Sequence, residues 1–78
     1  MKPDPKVKVS DIKTGLYRHF KGGEYEVIGL ALHSETLEVM VIYKALYGQK
    51  LTWVRPRSMF LEMVMHEGNE VPRFMFIK

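Results

Sequence analysis

The sequence has no cysteine, which excludes disulfide staples and thiolate metal sites. Any zinc would rest on His19, His33 and His66, and no two of them have the spacing of a ligand pair. No apolar run approaches the roughly 20 residues that cross a bilayer, and no signal peptide is recognisable, so a cytoplasmic protein is expected. There is no glycine-rich phosphate cradle and no nucleophile elbow. Neither sign of charge dominates: 12 Lys and Arg against 9 Asp and Glu leave a net charge of +3. That mild excess suits an anionic partner without demanding nucleic acid. Turn residues are missing at one telling place. Residues 32–36 read LHSET and separate two largely apolar runs, 25–32 and 39–46. Gly, Asn, Asp or Pro would be expected in such a connection.

What is present fits one small domain. A chain of 78 residues buries only roughly 60–65% of the surface its unfolded form exposes, so it needs most of its apolar residues for the core. Residues 1–11 carry Pro3, Pro5 and alternating Lys and Val, and read as a flexible arm that leaves 12–78 as the domain. Lys2, Lys6 and Lys8, with Lys13 just beyond, make this end of the chain basic. Runs at 16–20, 24–33, 39–46, 51–55, 61–66 and 71–77 read as strands, with turns at 21–23, 47–50 and 67–69. Gly29 marks a bulge or bend at which the buried face changes over. Pro72 marks the last run as an edge strand or its beginning. A helix over 35–44 is the rival reading, but β-branched Val39, Val41 and Ile42 favour a strand. Pro56 suits the first position of a short helical or 3₁₀ turn over 56–60, with Met59 and Phe60 plugging the core. Met40, Met63, Met65 and Met75 are also read as core fillers. The expected fold is all-β: a small barrel or strongly curved sheet of five to six short strands.

Parity suggests a site. In a meander the 39–46 strand pairs with both neighbours, so Tyr43 and Trp53 lie across from each other. Tyr47 shares parity with Tyr43, and Arg55 shares it with Trp53. Arg18 and His19 come from the first strand. Converging faces would make an aromatic wall with cationic and hydroxyl groups at its rim. Such a pocket suits a planar anion: a nucleotide, a base of single-stranded nucleic acid, or a carboxylate metabolite. The expected ligand-binding residues are Arg18, His33, Ser34, Glu35, Thr36, Tyr43, Tyr47, Trp53 and Arg55. No catalytic residue, metal or cofactor is expected. Each residue also has a structural reading. Trp53 and Tyr43 would fill the core, Arg55 would pair with Glu35 or Glu62, and LHSET would be a turn closed by its own side chains. Two other functions stay open. One is a protein-interaction domain that uses a sheet edge or apolar patch, with Phe74, Met75, Phe76 and Ile77 available for a weak homodimer. The other is a small enzyme built on His33 and Glu35; a Ser34 triad is disfavoured because neighbours on an extended chain point to opposite sides.

The segments YRHFKG, HSET, LYG, WVRP, MF and VPRF occur in this order between Gly15 and Ile77. In them the chain resembles a family of small bacterial proteins known only as domain of unknown function sixteen fifty-three. The resemblance implies a compact SH3-like β domain, and it implies no activity.

Overall fold

The computed structural model describes residues 12–78. The expected arm, residues 1–11, lies outside the described residues. The fold is all-β, with one short helix. Its strands are β1 (Gly15–His19), β2 (Glu24–Leu32), β3 (Val39–Ala45) and β4 (Thr52–Pro56), then helix α1 (Arg57–Phe60), then β5 (Met63–His66), β6 (Asn69–Pro72) and β7 (Phe74–Phe76). An antiparallel sheet runs in the order β4-β3-β2-β1-β7, and β5 pairs with β6 as a separate ribbon. The barrel is open, because β4 and β7 are edges of the large sheet. The sheet nevertheless curls far enough for Arg55 of β4 to lie over the ring of Phe74 on β7, 5.6 Å from its centroid.

One strand more than expected appears because the final run divides at Arg73. Its N–H donates to Glu62 O at 2.9 Å, and its carbonyl accepts from Phe20 N–H at 2.9 Å. β6 therefore serves the ribbon and β7 the large sheet. Pro72 ends β6, which pairs only with β5, so the missing N–H falls on an edge strand as expected. The rival helix over 35–44 does not form; β3 occupies most of it.

The bulge in β2 decides what is buried. Val27 pairs with Tyr43, but Gly29 pairs with Ile42, which leaves Ile28 as the extra residue. Parity inverts there. Tyr25 and Val27 face inward before the bulge, and Leu30, opposite Val41, packs against the core after it. Alternation in β3 is uninterrupted, with Val39, Val41, Tyr43 and Ala45 all buried. The core joins these faces to Ile12, Tyr17, Phe60 and Phe74. Phe60 reaches it from α1, whose chain Pro56 holds extended just before the turn.

The methionine reading is corrected. Met59, Met63, Met65 and Met75 are exposed, and Met40 is only partly buried. Aromatic rings fill the space instead. Phe60 stacks on Phe74 with centroids 4.3 Å apart, while Tyr17 and Tyr43 contact Phe60 at 5.4 and 5.8 Å. Gly15 shows how tightly β7 seats on β1. It has φ +134°, and a Cβ there would stand 2.6 Å from Lys78 O. No helix among the described residues is long and apolar enough to cross a membrane.

Candidate functional site

Cross-strand pairing brings one line of aromatic side chains to the inner face. Tyr17 pairs with Tyr25, Tyr25 with Ala45, Tyr43 with Trp53, and His19 with Phe74. Directly paired residues project on the same face. Where the curl leaves this face uncovered, His19, Tyr25, Tyr43, Tyr47, Trp53, Arg55 and Phe74 line a cavity of about 250 Å³. Trp53 and Tyr47 are half exposed at its mouth, at 50% and 52%, and Tyr43 is buried at its floor. The Tyr25 ring meets Tyr43, Tyr47 and Phe74 edge-on at 5.5–5.6 Å. Tyr47 comes from the β3–β4 turn, and Gly23 gives it room: a Cβ there would sit 2.9 Å from the Tyr47 ring.

The hydroxyls of Tyr25 and Tyr47 are hydrogen-bonded to each other. Burial first, then that bond, push the Tyr25 phenol up to about 12, so it stays protonated at neutral pH. The Tyr25 hydroxyl therefore carries no negative charge into the cavity.

The cavity is electropositive. Among the described residues no carboxylate lines it. Arg55 forms no ion pair among the described residues; Glu62 instead lies 3.7 Å from Arg73, and Glu35 is in a distant turn. His19 Nδ1 accepts the Lys21 backbone N–H at 3.1 Å. The neutral imidazole therefore carries its proton on Nε2 as a donor. Burial first, and then the positive charges of Arg73, Arg55 and Lys21, lower the His19 pKa below its ordinary value.

This has a consequence for stability. A depressed native pKa means the unfolded chain binds more protons, so His19 contributes stability that is present above pH about 6.5 and lost as pH falls through the native value. Urea midpoints measured from pH 8 to pH 5 should fall more steeply for the natural chain than for His19→Gln. Glutamine stays neutral and can still accept the Lys21 N–H. Parallel profiles would remove His19 as the source.

The residues expected at the site do not all meet. Tyr43, Tyr47, Trp53 and Arg55 converge. His33, Ser34, Glu35 and Thr36 do not. They follow the Leu32–Val39 pair, six β3 positions from the Tyr25–Ala45 pair beside the cavity, or about 20 Å along the strand. Their chemistry closes a turn. His33 Nδ1 accepts the N–H groups of Glu35 (3.2 Å) and Thr36 (3.3 Å), and Thr36 Oγ1 accepts that of Glu38 (3.2 Å). His33 and Glu38 close the hairpin backbone at 2.8 Å. The missing glycine is answered by Leu37, which takes φ 61° itself. A left-handed leucine costs about 1–2 kcal/mol, and the local bonds help offset it. Among the described residues no bond joins the Glu35 carboxylate to an imidazole, so this turn holds no acid–base pair. Arg18 has the opposite parity to His19. It bonds Glu24 at 2.9 Å and lines a different cavity, of about 240 Å³, with Phe20, His66, Met75 and His19, the one residue that borders both among those described.

Parity missed Tyr25 and Phe74, and His19, although placed on a converging strand, was not among the expected ligand-binding residues. Tyr25 was readable: it begins the strand whose partner ends near Tyr47. Phe74 was not, because its place depends on the break at Arg73. Among the described residues no cluster of three or more His, Asp or Glu could hold a metal.

The family described as a protein of unknown function (DUF1653) matches residues 15–76. A crystal structure of a protein of that family from Bordetella bronchiseptica is 35% identical and superimposes with a TM-score of 0.81, covering 90% of this chain and 92% of that one. No curated protein matches the chain.

Proposed function

We propose, for a chain that belongs to the DUF1653 family and inherits no activity from it, that the inner-face cavity binds a planar anion without catalysing a reaction on it. The observation that carries this reading is Arg55. Among the described residues its guanidinium has no carboxylate partner, and it stands beside the half-exposed Trp53 in a cavity that no described acidic residue lines. Aromatic cages often take cations. Here Arg55 already occupies the Phe74 face, and Arg73 and Lys21 add positive potential around His19. A flat ring would lie against Trp53 or Tyr47, and its anionic group would take the forked donors of Arg55 and the Nε2–H of His19. A cavity of 250 Å³ suits one ring system rather than a larger molecule.

The test is an amide and indole NMR titration of the full chain with uridine monophosphate, adenosine monophosphate, benzoate and tetramethylammonium. Saturable shifts with an anion, centred on the Trp53 indole, Tyr47 and His19, are expected, with none from tetramethylammonium. Affinity should rise as pH falls toward 6, because an anion beside His19 favours its protonated form. Saturation by the cation, or silence from every anion, overturns the reading.

A second reading rests on β5. Met63 and Met65 are exposed on one face of that strand, beside exposed Leu61. Such adaptable side chains suit a protein partner. Shifts confined to β5 on addition of a partner would favour it.

A further inference from the structure

The inner-face cavity has a neighbour. Tyr47, Lys50, Leu51 and Trp53 help to line a second cavity of about 180 Å³ at the β3–β4 turn. Tyr47 and Trp53 line both cavities, so two half-exposed rings border two adjoining spaces. Among the described residues, Arg55 lines the first space and Lys50 the second, and no carboxylate lines either. The turn holds Lys50 firmly. Its N–H donates to Tyr47 O at 3.0 Å, and its backbone is left-handed at φ 55°.

Resting on the anion-binding reading above, we infer that the ligand is a single-stranded nucleic acid segment, with two consecutive bases placed on either side of the Tyr47–Trp53 pair and their phosphates near Arg55 and Lys50. Repetition carries the argument. A lone metabolite needs one ring space and one cation, whereas here two spaces share the rings of Tyr47 and Trp53 and each has a different cation, Arg55 or Lys50. Bases of a single strand are free to unstack and present their faces, while those of a duplex are not. Stacking on aromatic rings tolerates any base, so little sequence preference follows.

The full chain is titrated with uridine monophosphate, the 5′-phosphorylated dinucleotide pUpU, a hexauridylate and a hexamer duplex, with Trp53 fluorescence and NMR as readouts. A second stacked base adds about 5- to 150-fold, so pUpU and the hexamer should bind at least about fivefold more tightly than the monophosphate. New shifts should appear over residues 48–51. The logarithm of affinity for the hexamer should fall against that of salt with a slope of roughly −1.4, the value for two phosphates on a single strand. Lys50→Asn removes the charge while asparagine accepts the left-handed backbone. It should weaken hexamer binding about tenfold and leave monophosphate binding unchanged. Equal affinity for monomer and hexamer, or no effect of Lys50→Asn, overturns the two-base inference and leaves the single anion site standing. Tighter binding of the duplex overturns it as well. Silence from all four nucleic acids alongside saturation by benzoate overturns this inference alone. Silence from benzoate too removes both.

Discussion

Phe60→Ala should lower the unfolding free energy by about 3–5 kcal/mol, the range for deleting a buried aromatic ring. Phe60 is 1% exposed and fills the space that the methionines leave empty. Its ring lies nearly parallel to Phe74, at 5°, and meets Tyr17 at 73°. No other residue of α1 is buried, so the helix loses its one anchor in the core. A domain of this size has roughly 4–12 kcal/mol of stability in total, so the loss leaves it close to unfolding. A urea titration followed by far-ultraviolet circular dichroism reads the shift in midpoint. Phe60→Leu keeps most of the volume and should cost less than about 1.5 kcal/mol. If Phe60→Ala costs under 1 kcal/mol, the stacked pair is not what holds α1 on the sheet. The effect extends to the candidate site, because Phe74 stacks on Phe60 and also carries Arg55 over its ring. Loss of Phe60 therefore loosens one wall of the cavity even where the chain stays folded.

How far the sequence could be read follows from what each signal encodes. The first four strands were legible because β-branched runs and glycine turns are local. So was the common face of Tyr43, Trp53 and Arg55, since parity across a hairpin needs only a register. The inversion in β2 was visible in Gly29, although the residue that bulges is its neighbour Ile28. Parity names a face and not an end. That is why residues 33–36 could be grouped with Trp53, although they lie at the other end of the hairpin. The split of the last run was hidden, because it depends on a bond between Arg73 and Glu62 that no local pattern announces. The exposed methionines had the same cause. Hydrophobicity marks a candidate for burial, but α1 and β7 supplied Phe60 and Phe74 first, and a chain this short has little further interior to fill.

Arg55→Gln and Trp53→Ala should each reduce uridine monophosphate binding by roughly tenfold or more while leaving the fold nearly intact. A hydrogen bond to a charged group is worth about 1.5–3 kcal/mol, and stacking of a base on an aromatic ring about 1–3 kcal/mol. The corresponding stability terms are smaller. Arg55 over Phe74 contributes about 0.5–1 kcal/mol as a cation–π contact, and Trp53 sits on an edge strand with half its surface already in water. Binding and stability therefore separate, and calorimetry together with a urea titration on the same samples reads both. Arg55→Lys is the discriminating variant. It keeps the positive charge and most of the stem, but it replaces the planar fork with a point donor. If the anion is held by two parallel N–H···O bonds, lysine recovers only a minor part of the loss. If the site merely attracts negative charge, lysine restores binding almost fully, and the affinity of the natural chain should then collapse with added salt. Should neither Arg55→Gln nor Trp53→Ala weaken binding, the cavity is a by-product of the curled sheet, and the exposed face of β5 becomes the place to look for a partner.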